Sequence, residues 1–154
     1  MQPIEGLETL TVTYADKVAT VTVNNPPVNA QNSRFREDMT RVFDILHDEK
    51  SVRAIVLTGA GKAFSAGADL KDRPDPANRG AFSRHNRNVR AAFDAVMECE
   101  KPVVCALNGA AIGAGLVLAL SCDIIVASEA SWVAMTEVDW GLAGGVKHIR
   151  RFFH

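Results

Sequence analysis

The chain has 154 residues, 47% of them hydrophobic, and 17 Lys and Arg against 18 Asp and Glu give a formal net charge of -1. That length suits one sizeable core and a single domain over 1–154, and the near-neutral balance excludes a global field that would drive binding to nucleic acid or an anionic membrane. No apolar run is long enough to span a bilayer and no basic, then apolar, leader opens the sequence, so a soluble cytoplasmic α/β protein with a small-molecule partner is expected.

Thr9 to Tyr14 and Val18 to Val23 alternate polar and apolar residues around a turn at Ala15-Asp16-Lys17, the signature of a β-hairpin. Asn24-Asn25-Pro26-Pro27 ends the alternation, because proline donates nothing to a ladder and restricts the residue before it. With Asn32 or Ser33 as cap, Phe35, Met39, Val42, Phe43 and Leu46 recur at helical spacing and predict an amphipathic helix ending near Lys50. Ala54 to Thr58 reads as a central strand covered on both faces. After it comes the small-residue loop Gly59-Ala-Gly-Lys-Ala-Phe-Ser-Ala-Gly-Ala-Asp-Leu70, with a helical turn expected near Ala68.

Lys71 to Arg79, with two prolines and several charges, reads as an exposed connection suited to a lid. Phe82, Val89, Phe93, Val96 and Met97 mark a second helix, and Val103 to Leu107 and Ile124 to Ala127 two more buried strands. Between them, Gly109, Gly113 and Gly115 open the backbone where a helical run over Leu116 to Leu120 begins. Strands alternating with helices predict a mostly parallel sheet. The three cysteines, Cys99, Cys105 and Cys122, have no metal-ligand spacing and read as buried thiols; no metal site is expected.

The glycine stretches match no nucleotide-binding pattern. Gly59 and Gly61 are followed by Phe64 where a dinucleotide fingerprint needs glycine, Gly61-Lys62 lacks the rest of a P-loop, and Ser65 has Ala63 where a nucleophile elbow needs glycine. Two loops remain, each at the carboxyl end of a buried strand and each able to offer backbone N–H groups. Two such groups converging on one carbonyl oxygen would stabilise an enolate or a tetrahedral oxyanion. The alternative is that the small residues only permit close helix-to-strand packing.

Phe64-Ser-Ala-Gly-Ala-Asp-Leu70, Lys101-Pro-Val-Val-Cys-Ala-Leu-Asn-Gly-Ala-Ala-Ile-Gly-Ala-Gly115, Cys122-Asp-Ile124 and Thr136-Glu-Val-Asp-Trp-Gly-Leu142 together resemble the enoyl-CoA hydratase/isomerase family, the crotonase superfamily. The resemblance covers the whole chain. It implies a crotonase-like spiral of β-β-α units with a mostly parallel sheet, a homotrimer or dimer of trimers, and an acyl-CoA thioester as substrate, coenzyme A entering as part of that thioester and no separate cofactor. By motif position, Ala68 and Ala114 would donate the two oxyanion N–H groups, Ala114 standing where glycine is usual. Val28 and Ala30, with Ala66, Gly67, Leu70 and Gly113, would line the substrate, and Lys62 or Lys71 would meet a phosphate.

One position departs from the family's hydratases, which use a pair of glutamates. One glutamate would fall at Val117, an expected substrate-lining position here, and the other is Glu137. Hydration needs a water deprotonated on one side and a proton delivered to the α carbon, whereas moving a double bond from the 3,4 to the 2,3 position needs a single base. Isomerisation with Glu137 as acid/base is therefore favoured over hydration. Asp139 ranks second as an acid or base and His85 is held in reserve. A superfamily hydrolase, lyase or dehalogenase, or a non-catalytic CoA-binding subunit, stay as alternatives.

Asp69 reads as a helix N-terminal acid, Asp123 as structural, the arginines from Arg73 to Arg90 as a solvated face, and Trp132 and Trp140 as core or subunit contacts. Where the family has Pro-Gly-x-Gly-Gly the sequence reads Leu142-Ala143-Gly144-Gly145. The family's C-terminal helices are not expected within 1–154, so the sequence reads as a fragment, a cleaved form or part of a longer chain.

Overall fold

The computed structural model describes residues 3–136. The chain enters as the predicted hairpin, β1 (Leu10–Ala15) antiparallel to β2 (Val18–Val23), and Asp16 and Lys17 turn it with φ of 50° and 67°. Two successive left-handed residues match the twist of the flanking strands, which is why a two-residue connection suffices. Asn25 to Asn29 then cross to β3 (Ala30–Gln31), with Pro26-Pro27 in the cis form and Asn29 at φ 56°.

Helix α1 (Ser33–Asp48) begins where expected. Asn32 Oδ1 accepts the Phe35 N–H at 2.9 Å, satisfying one of the donors that a helix start leaves open. Its apolar stripe, Phe35, Met39, Val42, Phe43 and Leu46, is buried. Asp38 on the same helix is 2% exposed, accepts the Glu8 and Thr9 N–H groups and the Thr9 hydroxyl, and pairs with Arg34, which fixes the entry to β1.

Strand β4 (Ala54–Gly59) leads into β5 (Ala63–Ser65) and β6 (Gly67–Ala68), then a 3-10 turn over Leu70–Asp72. Helix α2 (Arg79–Met97) packs on α1 and is capped by Asn78. Strand β7 (Val103–Leu107) is followed by β8 (Ala110–Ile112), α3 (Ala114–Leu120), β9 (Ile124–Ala127) and β10 (Val133–Ala134).

The main sheet runs β1-β2-β4-β7-β9, parallel apart from the hairpin. Beside it lie a three-stranded sheet, β10-β8-β5, and the parallel pair β3-β6. The core joins Val21, Val23, Ile55, Leu57, Val103 and Cys105 of the main sheet to the stripes of α1 and α2 and to Leu118 of α3.

Three expectations change. The chain around Ala68 is extended rather than helical, because Ala30–Gln31 pairs with Gly67–Ala68; the turn starts two residues later, with the Asp69 carboxylate accepting the Lys71 N–H. Strand β9 forms as expected but is exposed at all four residues, Ile124 at 55% and Val126 at 61%, because it is the sheet's edge and nothing among the described residues packs over it. Trp132, expected in a core or subunit contact, is 54% exposed and so is not part of the core.

Candidate active site

The two small-residue loops meet. Strand β5 runs parallel to β8 with an irregular register, so residues 62–67 travel beside 109–115. Glycine makes this possible at separations no side chain allows. A Cβ on Gly109 would lie 2.0 Å from the Lys62 carbonyl oxygen, and one on Gly115 would lie 2.1 Å from that of Ser65. At Gly67, a Cβ would meet the Ile112 carbonyl oxygen at 2.5 Å and the Ala114 nitrogen at 3.2 Å. The backbone just before Ala68 is therefore seated against the backbone that carries the Ala114 N–H.

Both alanines keep an outward donor. Asp69 donates its N–H to the Gln31 carbonyl, and since successive groups on an extended strand alternate, the Ala68 N–H one residue earlier faces away from β3. In α3 the Val117 N–H bonds to the Gly113 carbonyl, so the N–H groups of Ala114, Gly115 and Leu116 precede the first closed turn. Gly113, at φ 52°, delivers the chain into the helix in a conformation that disfavours any side chain. Ala68 is exposed and Ala114 half-buried, between buried Gly67, Gly113 and Gly115.

The polar residues that hold these loops are ones the sequence reading passed over. Asn108 joins the loop roots: its Oδ1 accepts the Gly59 N–H at 3.1 Å and its Nδ2 donates to the Gly61 carbonyl at 3.1 Å. Asn29, 3% exposed, donates from Nδ2 to the carbonyls of Ala60 and Ala63 at 3.0 and 2.8 Å and accepts the Asn25 N–H. Ser65 is fully buried, its hydroxyl donating to the Asn29 carbonyl at 2.7 Å and accepting the Gly67 N–H at 3.2 Å. Gln31, 3% exposed, donates from Nε2 to Ser65 Oγ and to the Ala114 carbonyl. The available signal was a run of side-chain amides, Asn24 to Asn32, in a segment with too few apolar positions to be held by packing.

The remaining expected residues spread around this junction. Val28 is 43% exposed and its carbonyl accepts the Ala66 N–H at 2.9 Å, while Ala30 pairs with Gly67 and Leu70 is 52% exposed just beyond Ala68. These place an apolar rim beside the donor strand. Lys62 and Lys71 are exposed. Val117 is 2% exposed and belongs to the core, so an apolar group stands where a carboxylate would need hydration or a partner. Glu137, Asp139 and Trp140 lie outside the described residues.

On the far side of β3, Asp72 Oδ2 pairs with Arg36 Nη2 at 2.5 Å and Asp72 Oδ1 accepts the Ser33 hydroxyl at 2.9 Å. Burial pushes the Asp72 carboxyl up, but the Arg36 and Ser33 hydrogen bonds and the Arg36 charge outweigh it, leaving it below its ordinary value. Burial, with the Arg36 and Arg73 charges, holds His85 below its ordinary value against the pull of Asp72. Asp123 accepts the Val103 N–H at 2.8 Å, the structural role expected of it. Cys105 and Cys122 are buried, and the Cys122 thiol is pushed up by its hydrogen bond to Cys105 and by burial. Among the described residues no cluster of His, Cys, Asp or Glu could hold a metal, and no helix is long and apolar enough to cross a membrane.

Residues 13–152 match the enoyl-CoA hydratase/isomerase family model. The chain belongs to that family. A carboxyl-CoA hydrolase of Rhodococcus jostii, acting on a methyl-dioxo-hexahydro-indene skeleton, is 37% identical over 139 residues, covering 90% of this chain and 54% of the relative. The human mitochondrial Delta(3,5)-Delta(2,4)-dienoyl-CoA isomerase is 34% identical over 161 residues, covering 97% of this chain and 49% of the isomerase. Among solved structures, Pseudomonas aeruginosa DspI superposes with a TM-score of 0.89 at 30% identity, over 96% of this chain and 62% of DspI. The crotonase-like fold expected from the sequence is thus found, and the chain spans about half the length of the curated relatives it matches.

Proposed function

We propose that this chain carries the oxyanion-stabilising half of an acyl-CoA site, in which the Ala68 and Ala114 N–H groups bind a thioester carbonyl and Glu137 acts as the single acid/base. The observation that carries the reading is the seating of Gly67 against the Ala114 nitrogen, which brings the two donor-bearing segments into contact. With one base and an apolar, core-packed Val117, the favoured reaction is double-bond migration: Glu137 removes an α proton, the oxygen of the resulting dienolate is held by the two N–H groups, and the proton returns at the γ carbon. Similarity to a dienoyl-CoA isomerase supports that direction. Val28 and Leu70 would line the acyl or pantetheine chain and Lys62 or Lys71 would meet a phosphate. Asp139 is the alternative acid, and assembly as a trimer belongs to the same proposal.

The test incubates the complete protein with a short 3-enoyl-CoA and its 2-enoyl isomer. Interconversion without water uptake is expected, and Glu137→Gln should lower the rate at least about a hundredfold. Turnover unchanged in that variant would remove Glu137 from the mechanism. Uptake of water by the 2-enoyl thioester would favour hydration instead.

A second reading rests on the 37% identity to a hydrolase of a cyclic carboxyl-CoA. There water would add to a ring ketone β to the thioester, the C–C bond from that ketone carbon to the thioester α carbon would break to leave a carboxylate, and the same N–H pair would hold the thioester enolate that departs and is then protonated. A mass gain of one water on a bicyclic keto-carboxyl-CoA, with no turnover of 3-enoyl-CoA, would favour it.

A further inference from the structure

Gln31 is the residue at which the two donor segments are joined, and nothing in the motifs marks it. Its backbone lies in register with Ala68 across the β3-β6 pair, and its carbonyl accepts the Asp69 N–H at 3.2 Å, the bond that turns the Ala68 N–H outward. Its side chain crosses to the other loop. Nε2 donates to the Ala114 carbonyl at 3.1 Å, over 83 positions of sequence, and to Ser65 Oγ at 3.2 Å. A primary amide has two N–H groups, so both are committed.

Ser65 Oγ relays the second bond, donating to the Asn29 carbonyl and accepting the Gly67 N–H, the residue before the first donor. The Gln31 carbonyl is braced from behind by Arg36 Nη1 at 3.0 Å, and Arg36 is held by Asp72. Gln31 is thus tied by its backbone carbonyl to the Asp69 N–H, and by its buried side-chain amide to the Ala114 carbonyl and, through Ser65 Oγ, to the Gly67 N–H.

We propose that Gln31 is a positioning residue that sets the spacing and direction of the Ala68 and Ala114 N–H groups toward the thioester oxygen. The inference rests on the oxyanion reading above. Losing the amide leaves Ser65 Oγ with Asn29 and Gly67, and leaves the Ala114 carbonyl free to accept within α3, so the fold retains most of its bonds while the segments lose their common tether. Misplacement of a catalytic group by about 1 Å costs on the order of a hundredfold in rate. The loss should fall on the step that develops charge on the oxygen, and therefore on kcat, with binding of the CoA portion little affected.

The test compares the complete protein with Gln31→Leu and Gln31→Glu, the latter matching glutamine in size but lacking the amide donors when ionised. With a 3-enoyl-CoA, kcat should fall roughly 10- to 100-fold while KM moves less than about threefold. The carbonyl stretch of a bound, isotopically labelled 2-enoyl-CoA, shifted down by the two N–H groups in the unaltered protein, should return toward its solution value in both variants. Protonation of the Gln31→Glu carboxyl at low pH restores one donor, so part of the shift should come back there. If Gln31→Leu does not fold, Gln31→Glu alone decides. A variant that folds, melts lower and keeps both kcat and the full carbonyl shift overturns the inference and leaves the oxyanion reading intact. An unaltered protein that binds the thioester without shifting its carbonyl, or does not bind it, overturns both.

Discussion

The loop after β4 and the loop after β7 each bring an alanine N–H to the same junction, but they are held there by opposite means. Residues 59–68 are gripped by side chains: Asn108 at the root, Asn29 on the carbonyls of Ala60 and Ala63, Ser65 and Gln31 near the donor. Residues 109–115 take one such bond, from Gln31 to the Ala114 carbonyl, and otherwise depend on the absence of side chains, since Gly109 and Gly115 let backbone ride directly on the carbonyls of Lys62 and Ser65. One loop can lose a contact and keep the others. At the glycines of the other there is no side chain to give way, because a methyl group at 2.1 Å from a carbonyl oxygen forces backbone to move.

The largest expected effect breaks the glycine side of this contrast. Gly115→Ala should cost about 3 kcal/mol or more in chemical denaturation, as overpacking against fixed backbone does, and should abolish turnover at temperatures where the fold survives. Asn29→Ala attacks the side-chain side. It leaves buried carbonyls short of a donor and should cost about 2 kcal/mol with the fold retained. If the two variants are equally damaging, the distinction between the loops is wrong.

The smallest effect is also the most diagnostic, because it depends on pH. Asp72 ties the segment after Ala68 to Arg36, and the Arg36 and Ser33 hydrogen bonds hold its carboxyl below its ordinary value in the folded state despite partial burial. A lowered pKa stabilises the fold fully above the unfolded value and loses that stabilisation as pH falls through the folded one. Asp72→Asn should therefore lower stability by about 1 kcal/mol near neutral pH. The gap to the unaltered protein, followed by melting temperature, should close below about pH 4.

The elements long enough to show a period were legible in the sequence. The alternation of Thr9 to Val23, the stripe from Phe35 to Leu46 behind Asn32, and the apolar run Val103 to Leu107 all formed where their patterns put them. The short strands β3, β5, β6, β8 and β10 were not, since two or three residues carry no period and their pairing comes from loops meeting across more than 20 positions. Burial was misjudged at Ile124 to Ala127 for a different reason: apolar composition states what a strand is suited to pack against, not whether these residues supply the partner. The glycines at 109, 113 and 115 stood out as a motif, but Gln31 did not, because a glutamine's role is set by which carbonyls the fold brings within reach.

Asn108 has a consequence in time rather than in geometry. By accepting the Gly59 N–H and donating to the Gly61 carbonyl from the end of β7, it makes the two loop roots one piece. Neither donor segment can swing out alone, so under the proposed chemistry the N–H pair is standing before substrate arrives and no closing motion is needed to assemble it. The slow steps would then be entry and departure of the thioester, and amide exchange at Gly59 should track opening of the whole junction rather than of its own loop.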